Sequence, residues 1–131
     1  MSAPGLQEVT PRIHALLSSA QWWGDFSPSP VPPGTPYFTM LLWRKATTSG
    51  ACYSSIPFQN SQMGRDLKTV SCSVEGVELR VATTHLESPT GWNQLWSEAR
   101  VAQCKQAAVV LDASPQPDVL FAGDMNWWVP R

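Results

Sequence analysis

Residues 67–87, LKTVSCSVEGVELRVATTHLE, constrain the fold more than any other stretch. Two runs rich in β-branched and apolar residues flank Glu75 and Gly76, the two-residue spacing of a tight hairpin. On the second run Val77, Leu79, Val81, Thr83 and His85 share one face by the period of two. A helical pattern over residues 93–113 follows, and Pro115 and Pro117 close it. Leu95, Ala99, Ala102, Val109 and Val110 are its expected buried stripe, with Glu98, Arg100 and Lys105 outward. The next run, DVLFAGD, reads as a strand, with Val119 to Ala122 expected to be buried. A hairpin followed by a helical crossover into another strand requires a mixed sheet with helices on its faces, an α/β or α+β layered domain.

The first half is less regular. Glu8 sits at the expected end of a short run, PGLQEVT, and Pro11 opens a helix over PRIHALLSS that buries Ile13, Leu16 and Leu17. GDFSPSPVPPGTP, dense in proline and glycine, reads as a surface loop. YFTMLLWRK is of strand type. Residues 46–64 read as a turn-rich connection with one short strand around Cys52 to Ser54.

With 131 residues, 43% hydrophobic and 15% charged, the chain has the composition of one globular domain. A net charge of −1 gives no bulk electrostatic argument for nucleic-acid binding. Cys52, Cys72 and Cys104 are odd in number and show no C-x-x-C pairing, which argues against a disulfide framework or zinc site and for a reducing, intracellular setting. No apolar run approaches the ~18 residues of a membrane span, and the opening residues lack the pattern of a secretory leader.

Three strand ends carry polar groups able to do chemistry. Asp124 and Asn126 follow the last strand; His85 and Glu87 follow the second strand of the hairpin; Glu8 ends the first run. Continued strand direction would put Asp124 and Asn126 on one side, yet a polar turn fits the same residues. His85 could equally be satisfied by a neighbouring carbonyl with Glu87 solvated, and Glu8 could be a solvated terminus. Together the groups suit metal-assisted phosphodiester hydrolysis. A carboxylate holds a divalent ion, a base prepares water, and donors meet the developing phosphate charge.

LQEV, HLES and FAGDMN, in that order, resemble the endonuclease/exonuclease/phosphatase superfamily, the DNase I-like phosphodiesterases. YFTMLLWRK, IPFQNSQMGRDL and ELRVATTHLES resemble in particular its 5′-tyrosyl-DNA phosphodiesterase group. The resemblance implies a DNase I-like four-layered α/β sandwich, of which residues 1–131 form the middle portion of one catalytic domain. A metal-binding asparagine on an earlier strand, and an aspartate and a histidine on later strands, are expected outside it. It further implies Glu8 as a ligand of Mg²⁺ or Mn²⁺, His85 on the scissile phosphate, Asp124 positioning or activating water, and Asn126 orienting phosphate and water. Ser88 would line the substrate channel, and Glu87 would be structural. The implied partner is DNA with a 5′-phosphotyrosyl, single-stranded end, in repair of topoisomerase-linked breaks in the nucleus or cytoplasm. Pro89 and Thr90 stand where that group often has a basic residue, which weakens the expected grip on DNA. Alternatives are an abasic endonuclease, RNA deadenylase or inositol phosphatase of the same superfamily, or an inactive binding remnant. Trp92 and Trp127 flank the motifs as candidate substrate-stacking residues, with packing as the competing role; Trp22, Trp23, Trp43 and Trp96 are expected to pack. Arg65 and Lys68 are expected to be solvated rather than bound to phosphate.

Overall fold

A computed structural model describes residues 3–89 and 97–127. The chain runs through β1 (Gly5–Val9), α1 (Pro11–Ser18), a 3₁₀ turn (Gln21–Asp25), β2 (Phe26–Pro28), β3 (Phe38–Arg44), β4 (Thr48–Pro57), β5 (Asp66–Val74), β6 (Val77–His85), α2 (Ser97–Asp112) and β7 (Asp118–Asp124). These strands form two sheets, β1-β3-β2 and β4-β5-β6-β7. Among the described residues no helix is long and apolar enough to cross a membrane.

The expected hairpin is present. Val74 pairs with Val77, and Glu75 and Gly76 both adopt positive φ, 51° and 86°. That matches the right-handed twist of the flanking strands, and Gly76 takes it without steric cost. β7 then joins β6 in parallel after the α2 crossover, which makes the sheet mixed as the sequence requires.

Two apolar clusters set the layers. Leu17, Trp23 and Phe26 pack on Val9, Phe38, Met40 and Leu42, covering the first sheet with α1 and the 3₁₀ turn. Ala107 and Leu111 of α2 pack with Phe58, Leu67, Ala82 and Leu86, covering the second sheet. The opposite faces of the sheets meet each other, with Gln7 Nε2 donating to Thr83 Oγ1 at 2.9 Å. Helix, sheet, sheet and helix therefore form four layers. Thr10 starts α1 by accepting from the Ile13 amide at 3.2 Å, with Pro11 in the first helical position.

Five expectations fail. On α1, Ile13 is 42% and Leu16 64% exposed, so of the expected buried face Leu17 alone packs on the first sheet. β4 runs over ten residues rather than a short piece near Cys52. It is the polar edge of its sheet, paired on one side to β5, so no apolar alternation marks it; a bulge between Ser49 and Cys52, with Gly50 at φ 61°, kinks it. Phe26–Pro28, read as loop, is an edge strand on β3, a position that tolerates Pro28. β7 is exposed along its length, with Leu120 61% accessible, because among the described residues it is the sheet edge, and Leu120, Phe121 and Ala122 face Gly5, Gln7 and Leu41 of the first sheet across an open cavity rather than in close packing. On α2, Ala99 is buried, but Val109 is 71% exposed, Ala102 is exposed and Val110 is half-buried; Leu95 lies outside the described residues. Arg100, expected outward, is buried with Gln103, Ala107 and Leu111, because the N-terminal half of this face packs on a buried polar group, Glu87.

Candidate active site

β1, β6 and β7 end, and antiparallel β5 begins, on one rim of the layered structure. Register places His85 of β6 directly opposite Asp124 of β7. His85 Nε2 lies 3.6 Å from Asp124 Oδ2, with His85 2% and Asp124 52% accessible. Arg65 Nη1 sits 2.9 Å from His85 Nδ1. A guanidinium can only donate, so Nδ1 accepts and the imidazole proton resides on Nε2, facing Asp124 and Ser88. Burial foremost, then the Arg65 charge, hold the His85 pKa below the ordinary imidazole range; Asp124 and Glu8 pull the other way and do not prevail. The His85–Asp124 contact is therefore a polar contact of a neutral ring rather than an ion pair.

A lowered pKa fixes the sign of the pH dependence. The contribution of neutral His85 to stability is complete above the ordinary imidazole value of about 6.5 and declines as pH falls below it. In an imidazole ¹⁵N titration, His85 is expected to protonate below that value, with a falling melting temperature over the same pH range. A midpoint above pH 7 would contradict the arrangement of Arg65, Asp124 and Glu8 around the ring.

Ser88 links the groups. Its Oγ accepts from Arg65 Nη2 at 3.0 Å and from Asn126 Nδ2 at 3.1 Å, and lies 3.5 Å from His85 Nε2. Asn126 Nδ2 also donates to the Leu86 carbonyl at 2.8 Å. Strand alternation does not unite Asp124 and Asn126. β7 ends at Asp124, Asn126 turns to φ 50°, and its amide donates to Asp124 Oδ1 at 2.9 Å. The polar turn and the site are thus the same structure.

Glu8 reaches the rim through a bulge. Leu6 pairs with Met40 and Val9 with Phe38, leaving one extra residue on β1, and Glu8 takes φ 55°. Left-handed backbone costs a glutamate about 1–2 kcal/mol, and such outliers concentrate where a side chain is re-aimed. The Glu8 carboxylate is exposed, and its charge is felt by His85. Among the described residues no group of three or more His, Cys, Asp or Glu side chains is placed to share an ion. Mg²⁺ retains waters and takes one or two carboxylates with substrate phosphates, so a single exposed Glu8 fits as one ligand.

Arg65 is a member of this site that the sequence reading left in solvent. It is 7% accessible, and its guanidinium carbon lies 5.2 Å from the Tyr37 ring centroid. Lys68, also expected to be solvated, is 4% accessible and paired with Asp66. Both stems enter the structure because an anion or a ring acceptor waits inside. Glu87, which could have been solvated, is 1% accessible. Burial raises its pKa, but hydrogen bonds from Ser61, Gln103, Gln62 and Met63 outweigh that and hold it below the ordinary glutamate range. Trp127 is 49% exposed, with the Arg100 guanidinium 5.3 Å over its ring. Trp92 and Trp96 lie outside the described residues. Trp43 packs flat on Tyr53, whereas Trp22 meets Trp23 and Phe26 yet stays 42% exposed.

A sequence model of the Endonuclease/Exonuclease/phosphatase family matches residues 5–131. Tyrosyl-DNA phosphodiesterase 2 of Bos taurus is 35% identical over 124 residues, 92% of this chain and 32% of that protein. The crystal structure of D. rerio TDP2 complexed with single strand DNA product superposes with a TM-score of 0.83 at 27% identity, covering 98% of this chain and 49% of that one. TDP2 from C. elegans gives 0.79 at 28% identity, over 99% and 40%. The chain thus spans about a third of the curated relative and about half of the D. rerio chain, and it shares with the solved relatives the DNase I-like α/β fold. With the family match running from residue 5 to residue 131, the chain belongs to the endonuclease/exonuclease/phosphatase family.

Proposed function

We propose that this chain carries part of a phosphodiesterase site that hydrolyses DNA 5′ ends, of the 5′-tyrosyl-DNA phosphodiesterase type, with Mg²⁺ or Mn²⁺ held by Glu8. The observation that carries the reading is the in-register pairing of His85 with Asp124 at a rim where Arg65, Ser88 and Asn126 also converge. The likeness to a TDP2 solved with a single strand DNA product supports DNA as the ligand.

Bound divalent ion would supply charge neutralisation at the phosphate. The residues do the rest. Asp124, half-exposed and opposite His85, orients water and can take its proton. His85, neutral with Nε2–H outward, donates to a phosphate oxygen. Asn126 gives both side-chain amide protons to the Leu86 carbonyl and Ser88 Oγ, which fixes its Oδ1 as an acceptor that orients the attacking water. Arg65 adds fixed positive charge beside the ring.

Asp124→Asn tests the assignment, because the amide oxygen still accepts from Asn126 while losing basicity. Tyrosine release from a single-stranded 5′-phosphotyrosyl oligonucleotide is expected to fall about 10²–10⁴-fold, the usual range for removing a general base, with oligonucleotide binding retained. An unaltered rate would remove Asp124 from the mechanism. The wild-type chain is expected to prefer this substrate to an abasic duplex and a soluble inositol phosphate. A reversed preference would assign another branch of the family, and binding without hydrolysis of any of the three would make the chain a binding module.

A further inference from the structure

Glu87 has no place in the chemistry above, yet its carboxylate is one of the most thoroughly buried groups in the chain. No cation meets it. Oε1 accepts from the backbone amides of Gln62 and Met63 at 2.9 and 3.0 Å, and Oε2 from Ser61 Oγ at 2.8 Å and Gln103 Nε2 at 3.0 Å. Its own backbone is held from α2, where Gln103 Oε1 accepts from the Glu87 amide at 2.9 Å and Arg100 Nη1 donates to its carbonyl at 3.3 Å. A buried charge facing only neutral donors is tolerable when every lone pair is met, and costly when one is left over.

The donors it gathers lie on the segment that delivers Arg65. Ser61 Oγ, held by Glu87, accepts the Arg65 amide at 2.7 Å. The segment closes on itself through Phe58 N to the Arg65 carbonyl at 3.0 Å. From that closed turn the guanidinium extends to His85 and Ser88. We propose that Glu87 is a positioning residue: its carboxylate clamps residues 61–63, and through Ser61 it fixes Arg65 against His85 and Ser88. This rests on the function proposed above for the meaning of the site, but not for the clamp itself.

The test pairs Glu87→Gln with the double substitution Glu87→Gln/Gln103→Glu. Glutamine at 87 keeps one oxygen for the Gln62 and Met63 amides but sets its NH₂ against that of Gln103. Glutamate at 103 restores a donor–acceptor pair by exchanging the two roles. In hydrogen exchange, Glu87→Gln is expected to lose protection at Gln62, Met63 and Arg65 by at least about tenfold, with Val70 and Val81 in the sheet unchanged. The imidazole ¹⁵N pattern of His85 should lose its single Nε2–H tautomer. Hydrolysis of the 5′-phosphotyrosyl oligonucleotide should drop about tenfold in kcat with KM unchanged, and the double variant should recover all three signals.

Uniform loss of protection across β5 and β6 would mean that Glu87 is only structural and would overturn the proposal. So would loosened residues 61–63 with the His85 tautomer unchanged, or a double variant that recovers nothing. A wild-type chain inactive on the oligonucleotide would count against the proposed function alone, since exchange and the ring spectrum still judge the clamp.

Discussion

Gly123→Ala is expected to detach β7 from β6 and disable the site. A Cβ at this position would stand 2.1 Å from the Thr84 carbonyl oxygen and 2.9 Å from the Thr84 nitrogen, both backbone atoms of the paired strand. A flexible side chain could move aside, but a strand cannot without breaking its ladder. Overpacking of this kind costs about 1–3 kcal/mol, and more where backbone must shift. The displaced residue is the immediate neighbour of Asp124. A shift of about 1 Å in a reacting group can cost 10²-fold in rate, so activity should fall by at least that factor. Urea unfolding measures the first effect and tyrosine release the second. Gly24→Ala is the control, since its added Cβ meets nothing within 4 Å; it should stay within about 0.5 kcal/mol of wild type. Equal stability of the two variants would refute the close approach of β6 and β7.

That close approach shows how far the sequence could be read. A glycine between an apolar run and Asp124 signals that something comes near, but not what; only the parallel register names Thr84. The hairpin and the α2 crossover were legible because their signals are local: a two-residue turn, a period of two, prolines after a helix. β4 was not, because an edge strand paired on one side needs no apolar face, and its small polar residues look like connection. β7 was legible as a strand and misread as buried, because an apolar run reports propensity and says nothing about whether another layer packs closely against it.

The candidate site divides in the same way. His85, Asp124, Asn126 and Ser88 were readable as motif residues, and the structure gathers them through register and a single turn. Arg65 was not, because a lone arginine in a polar stretch resembles a solvated one. The usable signal was indirect. Glu87 beside His85 has no cation within reach in sequence, so if buried it must collect neutral donors, and a glutamine- and serine-rich segment ending in Met63, Gly64 and Arg65 is one place to find them. The buried face of α2 follows from the same demand, since Gln103 and Arg100 turn inward to serve Glu87. Hydrophobic periodicity cannot foresee a helix face recruited by a carboxylate.

Arg65→Met should separate catalysis from stability. The substitution keeps an apolar stem of comparable reach and removes the guanidinium that donates to His85 and Ser88. Replacing a buried charge by a well-packed apolar group is often neutral or stabilising, and Arg65 Nε is itself buried without a partner among the described residues, so the fold is expected to persist with its melting temperature little changed. The chemistry should not survive as well. His85 would lose the donor that fixes its tautomer and the nearby positive charge that helps keep it neutral, so its pKa should rise toward the ordinary value, with burial still opposing. A preorganised donor lost from such a site costs about 10²–10³ in rate, and the loss should fall on kcat because Arg65 acts where charge develops. Arg65→Lys should restore little, since one ammonium on a flexible stem cannot bridge Nδ1 of His85 and Oγ of Ser88 in fixed geometry. Tyrosine release, the His85 titration and a thermal melt measured on the same three proteins decide the matter. An unchanged kcat in Arg65→Met would make the guanidinium a packing element. A collapse of the melt would show that the buried charge supports the fold rather than the reaction.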